Sequence, residues 1–322
     1  DFISVGTSIH RGEDLAVRGG TYIFDVAEVV QDTEAKGKRR HKLKLLCKEE
    51  AKGPITALCG INGYLVSSMG QKIFVRAFDL NERLVGVAFL DAGVYVTSIR
   101  CLKNFLMITD AVKSVWFVAF QEDPFKLIIL SRDTRQLFLL DGEFFFAGND
   151  LELVTMDDNG TLRLHLYDPT HLETDEGARL LCPVEFQTHS KSSSFIRIAK
   201  YDTVNPSMTM TETSRIVVTQ LDGVVSILDS LSPEAFKRLS LLQSQLVRHV
   251  QHMAGLNPRS YRSGQSGSSG AGRSLSKGIL DGSLLRSFKI LPLPKQRSIA
   301  SQIGETSDKI MLDCMDLDSE PW

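Results

Sequence analysis

The sequence predicts a mainly β chain that ends in helices. Three observations predict it: one strand–turn–strand phrase recurs, turn residues sit at fixed places within it, and the grammar switches to helical spacing at Ser232. The cleanest copy of the phrase is Tyr64–Asp79, YLVSSMGQKIFVRAFD. Ile73, Val75 and Ala77 alternate there with Lys72, Phe74 and Arg76 after a turn at Met69-Gly70-Gln71, which is hairpin patterning. Further copies are Phe105–Gln121, Leu151–Asp168 and Arg215–Ser230, and a degraded one joins Phe2–Thr7 to Thr21–Val26. The four clear copies start at 64, 105, 151 and 215. Recurrence at about 40–45 residues, with about four strands per unit, is the spacing of a β-propeller blade. The wider last interval has room for an insertion in the polar run Asp202–Ser214.

Taken in order, each hairpin extends to a blade. Gly53–Ile61 reads as an inner strand and Arg83–Leu90 as the outer one of the first clear unit. Val94–Leu102 and Phe125–Asp133 flank the second hairpin; Gln136–Phe146 and Ala178–Thr188 flank the third. Phe195–Tyr201 precedes the fourth. Asp158-Asn159-Gly160 and Leu221-Asp222-Gly223 supply the positive φ that tight turns need. The expectation is a partial propeller of about five blades over 1–230, its missing blades lying upstream, because the chain begins mid-pattern at an Asp.

Residues 231–322 read as a helical domain. Ser232-Pro233-Glu234 has an N-cap, a first-turn proline and an acid at the positive end of the dipole. Phe236, Leu239, Leu242, Leu246 and Val250 follow at helical spacing, and Gly255 with Asn257-Pro258 is expected to stop the helix. A Gly/Ser-rich stretch at 263–274 reads as a flexible loop. Helical patterns resume over Leu275–Leu291, break at Pro292 and Pro294, and return over Lys295–Ile303 and Ser307–Leu317.

Composition narrows the function classes. The 322 residues are 43% hydrophobic and 24% charged with a net charge of −2, so nothing global draws the chain to nucleic acid or anionic membrane. No apolar run approaches the ~18 residues of a membrane span, and the N-terminal stretch lacks the basic start and apolar core of a signal peptide. Cys47, Cys59, Cys101, Cys182 and Cys314 are widely spaced and read as small buried side chains in a reducing compartment. Without paired thiols no zinc site is expected. No P-loop, dinucleotide fingerprint or nucleophile elbow occurs, so neither an enzyme nor a cofactor is expected.

Several residues invite a sharper reading. Lys36–Lys44, KGKRRHKLK, holds six Lys/Arg, so Lys36, Lys38, Arg39, Arg40 and Lys42 form a candidate RNA-phosphate or nuclear-targeting patch. The competing reading is a solvated loop between two strands. His249 and His252 have H-x-x-H spacing but no third ligand nearby, so a surface or capping role at a helix end is expected. Ser274–Lys277 fits S-x-x-K beside the Gly/Ser loop, with no companion motif. Asn159-Gly160-Thr161 matches a glycosylation sequon that the hairpin turn already explains. Asp313, Asp316, Asp318 and Glu320 lack the spacing of a calcium loop.

Six separated blocks carry a family resemblance. They are KGPITALCGINGYLVSSMGQKIFV (Lys52–Val75), LKNFLMITDAVKSVWFVAFQ (Leu102–Gln121), LSRD (Leu130–Asp133), HMAGLNPRSYR (His252–Arg262), LDGSLL (Leu280–Leu285) and IASQIG (Ile299–Gly304). In this order they resemble the C-terminal region of the large subunit of the cleavage and polyadenylation specificity factor, the CPSF A subunit family. Two relatives share the architecture: the large damaged-DNA-binding adaptor of cullin ligases and a propeller subunit of a splicing complex. His252-Met253 stands where the family usually has two histidines, and the Gly/Ser loop is a further departure. The resemblance implies a nuclear, non-enzymatic scaffold of propellers plus a helical domain. It holds a WD-repeat and a zinc-finger subunit that read the polyadenylation signal, with pre-mRNA contacted indirectly. It also implies partner contacts at His252, Asn257, Arg259 and Arg262, where the first tail helix gives way to the next segment. Membrane and small-molecule partners are not expected. The alternatives are a propeller that binds RNA or DNA directly, and a ubiquitin-ligase or splicing adaptor of the same fold.

Overall fold

The computed structural model describes residues 2–10, 12, 17–29, 40–91, 93–147, 150–188, 190–199, 214–262 and 278–318, with the backbone alone at 29, 40, 193, 199, 253 and 259. Among these residues the protein is mainly β, with five antiparallel sheets of blade type followed by a small set of helices. The chain divides into two compact units, 1–142 with 175–179, and 143–174 with 180–322.

The first unit holds three sheets. Strands β1 (Phe2–Ile9), β2 (Arg18–Val29) and β3 (Arg40–Ala51) form one. Strands β4 (Leu58–Ile61), β5 (Tyr64–Met69), β6 (Lys72–Phe78) and β7 (Leu84–Asp91) form a four-stranded meander. So do β8 (Val96–Leu102), β9 (Phe105–Asp110), β10 (Ser114–Glu122) and β11 (Phe125–Arg132). The cleanest repeat folds as its sequence reads: Met69 pairs with Lys72, and Gly70 takes φ 59° in the turn between them.

Ile73 and Val75 are buried in a core shared by both meanders, together with Val66, Val96, Ile108, Trp116 and Val118. The face that alternation marks as polar is not uniform: Lys72 is exposed and Phe74 half-buried, but Arg76 is buried. Arg76 is 5% exposed, its guanidinium 3.0 Å from Glu49 on β3 and 5.3 Å over the Phe74 ring. A blade has neighbours on both faces, so a charge in mid-strand is retained where a neighbouring blade brings its counter-ion. Asp110 pins the next hairpin: Oδ2 accepts from the Val94 and Tyr95 amides and Oδ1 from those of Val112 and Lys113, all at 2.8 Å.

Two expectations change in this unit. The inner strand read as Gly53–Ile61 is strand only over Leu58–Ile61. Pro54 has no amide to give a ladder, and Gly53–Ala57 is instead held by isolated bonds such as Gly70 N–H to Pro54 C=O, 3.1 Å. The basic run read as a solvated loop is strand where it is described: Arg40–Lys44 opens β3 and pairs with Asp25–Val29.

The second unit contains two sheets and the helices. Strand β12 (Leu139–Ala147) leads into it, and β13 (Asp150–Asp157), β14 (Thr161–Leu166) and β15 (Leu181–Gln187) complete its four-stranded sheet. Strands β16 (Ser192–Ala199), β17 (Ser214–Gln220) and β18 (Val225–Leu228) make a three-stranded one. Phe145, Val154, Met156, Leu164, Phe195, Ile216 and Val218 form their shared core. Arg163 is buried between Asp157 at 2.7 Å and Glu185 at 3.1 Å. Asp157 also accepts from the Asn159 and Thr161 amides, so Asn159-Gly160-Thr161 is the turn itself.

The helices are α1 (Pro233–His249), the one-turn α2 (Pro258–Tyr261), α3 (Gly282–Ile290), α4 (Leu293–Ile303) and α5 (Ser307–Leu317). Ser232 caps α1 by accepting from the Ala235 amide. Leu239, Leu242 and Leu246 bury its apolar stripe against Leu285, Phe288, Ile299, Ile310 and Cys314. Arg238 forks onto Asp313 at 2.9 and 3.0 Å, joining α1 to α5.

Three helix boundaries differ from expectation. The first tail helix ends at His249, before Gly255, and Pro258 starts the next short helix. Pro294 lies in the first turn of α4, where a missing amide costs nothing. Helix α3 begins at Gly282, after its N-cap Asp281; residues 275–277 of the expected helix lie outside the described set, as does the Gly/Ser loop. Among the cysteines only Cys314 is buried, and the other four are partly so. Burial pushes the Cys314 thiol up to about 11, and burial, then Cys101, pushes Cys59 up to about 12.

Candidate functional site

The segment from Val247 to Arg262 is built from three local decisions. His252 Nε2 lies 3.0 Å from the Val247 carbonyl and so occupies a helix-end acceptor. Ala254 and Gly255 then adopt left-handed φ of 52° and 68°, which turn the chain. Asn257 is exposed, and its carbonyl accepts from the Ser260 amide at 3.0 Å and the Ser260 hydroxyl at 2.8 Å, opening α2. Arg259 lies on α2, described by its backbone alone.

Arg262 leaves α2 into a set of contacts within its own unit. Its Nε donates to Asp281 Oδ2 at 2.9 Å, and Nη1 donates to the Gln187 carbonyl at 3.0 Å. The guanidinium lies 5.1 Å from the Phe186 ring and 5.5 Å from the Tyr261 ring. The Arg262 carbonyl accepts from the Gln187 amide at 2.9 Å, so backbone and side chain both bind the end of β15.

Asp281 is 7% exposed and does double duty. One oxygen holds Arg262; the other caps α3 through the Ser283 amide at 3.0 Å. Its own amide donates to Gln243 on α1 at 2.8 Å. One ion pair thereby joins β15, α2, α3 and, through Gln243, α1. A shallow dent with a cavity volume of about 20 Å³ lies there, lined by Phe186, Gln243, Pro258, Arg262, Ile279 and Asp281 among others.

His252, Asn257, Arg259 and Arg262 therefore fall on one short stretch but present different groups. Asn257 is exposed, the His252 ring is tied to the preceding helix, and Arg262 is engaged internally. Gln187, Phe186 and Asp281 were not singled out in the sequence. Asp281 had a readable signal, an Asp immediately before an apolar helical run; Phe186 and Gln187 had none.

The basic run divides differently. Lys36, Lys38 and Arg39 lie outside the described residues, and Arg40 is described by its backbone. Lys42 and Lys44 are exposed on β3, opposite Ala27 and Asp25. Strand β1 pairs with Arg18–Asp25 of β2, and Val26–Val29 of β2 pair with Arg40–Leu43 of β3. Among the described residues no group of three or more His, Cys, Asp or Glu is arranged to hold a metal ion. No described helix is long and apolar enough to cross a membrane.

These features define a class: a blade-repeat protein of propeller type with a small helical domain at its C-terminal end. The particular family follows from comparison with known proteins. The family described as CPSF A subunit region matches residues 1–289, and the chain belongs to it. It is similar to Protein cft1 of Schizosaccharomyces pombe, 35% identical over 320 residues covering 98% of this chain and 22% of that protein. Protein cft1 of Aspergillus oryzae is 36% identical over 330 residues, 97% of this chain and 23% of that protein. Protein CFT1 of Yarrowia lipolytica is 34% identical over 320 residues, 99% and 24% respectively. The chain thus spans under a quarter of the length of these curated relatives.

Proposed function

We propose that this protein is a nuclear, non-catalytic scaffold piece of the pre-mRNA cleavage and polyadenylation machinery. Its blades, over 1–230, offer rigid loops and edges to partner subunits, and the helical domain, 231–322, fixes their last sheets. The observation that carries this reading is family membership over residues 1–289. The physical character of the chain supports it. Arg76, Arg163 and Arg262 are spent on internal ion pairs, and a net charge of −2 gives no general attraction to RNA. The partners proposed are a WD-repeat subunit and a zinc-finger subunit, with pre-mRNA bound through them. Asn257 and Arg259 are proposed as contact residues. The test is Arg259→Glu in the full-length protein: capture of both subunits falls while the melting temperature stays at the wild-type value. Capture at wild-type levels removes Arg259 from the interface.

One observation favours a second reading, direct contact with RNA. Lys42 and Lys44 are exposed on β3 next to a run of further basic residues in sequence. Contact with about three phosphates of a single strand predicts a slope near −2 in log affinity against log salt. Tight binding that prefers polyadenylation-signal RNA over scrambled RNA would replace the scaffold reading with this one.

A further inference from the structure

Strands β14 and β15 are joined by residues 167–180. The other hairpin links that are described throughout run from two residues, as at 123–124, to five, as at 79–83. Connections of this length in a compact fold are mostly functional, because the fold itself does not need the extra chain. The loop reads YDPTHLETDEGARL.

It carries two threonine hydroxyls, and the structure separates them. Thr174 is fully buried, and its Oγ1 donates to the His171 carbonyl at 2.6 Å. Thr170 is exposed, as are Pro169, His171, Leu172 and Glu173 around it, Leu172 to 99%. Thr170 Oγ1 and the Thr170 amide both donate to Asp168 Oδ1, at 2.6 and 2.9 Å, which closes a turn. The hydroxyl bond, ahead of the amide bond, holds the Asp168 carboxyl below its ordinary value.

Thr170 is thus an accessible acceptor hydroxyl, and the sequence after it is acidic. Glu173 lies three residues on, Asp175 five and Glu176 six, and Arg179 is the first Lys or Arg to follow. Protein kinases choose among exposed hydroxyls by the charge pattern of the chain on either side.

We propose that Thr170 is a phosphorylation site for an acid-directed protein kinase, one whose substrate groove carries Lys and Arg side chains that read Glu173 and the acids beyond it. The Thr170 oxygen attacks the γ-phosphorus of a nucleoside triphosphate. The new O–P bond forms as the bond to the β-phosphate oxygen breaks, the diphosphate leaves, and the hydroxyl proton passes to the catalytic carboxylate of the kinase. The product changes the loop. The ester oxygen has no proton to donate, so the 2.6 Å bond to Asp168 is lost. The phosphate brings a charge of about −1.5 to −2 beside the Asp168 carboxylate, and like-charge repulsion opens the turn. Phosphorylation thereby resets the turn that leads into Leu172. The inference is independent of the function proposed above.

Casein kinase 2 with ATP is the probe, applied to the native full-length protein and read by mass spectrometry of the peptide that contains residues 167–180. One phosphoryl group should be found there, on Thr170, and none in Thr170→Val. Glu173→Gln should slow its incorporation about tenfold or more, the worth of a hydrogen bond to a charged group. Both positions are exposed, so both variants should keep the wild-type melting temperature. An unmodified peptide, or an equal rate in Glu173→Gln, overturns the proposal. So does a phosphate that reaches Thr170 only after denaturation, or that enters Thr174 in its place.

Discussion

Replacing Arg262 by alanine separates an internal clamp from a contact residue. The change removes a guanidinium that donates to Asp281 at 2.9 Å and to the Gln187 carbonyl at 3.0 Å, and that lies over two aromatic rings. It leaves Asp281, 7% exposed, with its charge uncompensated, although Ser283 still binds the other oxygen. Breaking a buried ion pair by removing one partner costs about 3–5 kcal/mol. The Arg262 side chain keeps 21% of its surface in solvent, which places the expected loss near the low end, about 3 kcal/mol. For a unit of this size that is a fall of roughly 6–12 °C in melting temperature. Differential scanning calorimetry reads it, and exchange should accelerate in the peptides covering Gln187 and Asp281. Asp281→Asn should cost less, because asparagine keeps the helix cap, and the Arg262 charge that it leaves unpaired retains more solvent than the Asp281 carboxylate does. The double variant should be less destabilised than the sum of the singles, since Arg262 and Asp281 touch. A change within about 0.5 kcal/mol for Arg262→Ala, the range of an uninvolved surface position, would refute the clamp.

Leu242 is fully buried in the helical core, so Leu242→Ala should destabilise by about 2–5 kcal/mol in chemical denaturation. Ser232→Ala removes the cap on α1 and should cost about 1 kcal/mol, with Ser232→Thr restoring most of it. The Cys314 and Cys59 thiols, pushed up to about 11 and about 12, should resist alkylation at pH 8 in the folded chain and react on unfolding; rapid native labelling would count against their burial. The Asp318 carboxyl is held low, first by its bond from Lys289 at 2.6 Å and against its own desolvation, with Arg286 adding to the effect. A depressed carboxyl stabilises fully above its unfolded value of about 4 and loses that stability as pH falls through the folded value. Asp318→Asn should therefore flatten the melting-temperature profile below pH 4, and an unchanged acid limb would refute the assignment.

What the sequence shows plainly is whatever local chemistry decides. Alternation around Gly70, Gly160 and Gly223 locates three hairpins, because the turn and the strands that it joins lie within a few residues of each other. The cap at Ser232 and the bounds of α5 are legible for the same reason. Charges inside strands are not. Arg76 and Arg163 look like solvent-facing positions; Arg76 is paired by Glu49, 27 residues away, and Arg163 by Glu185, 22 residues away, as well as by the nearby Asp157. The run Arg40–Lys44 reads as loop because basic residues crowd it, although Lys42-Leu43-Lys44-Leu45 alternate with the period of a strand. At the candidate site the strongest punctuation, Gly255 and Pro258, misplaces the helix end. The His252 ring already holds the Val247 carbonyl, and the chain leaves helical geometry at Val250. Arg262 is the sharpest case. The sequence places it beside Arg259 as a second cation on the same turn, and the two are separable only through Gln187, 75 residues back, and Asp281, 19 residues on. A basic residue in a recurring motif is thus ambiguous until its carboxylate is located. With Asp281 located, a charge swap at Arg262 is expected to act on stability, whereas the contact proposed for Arg259 predicts an effect on partner capture.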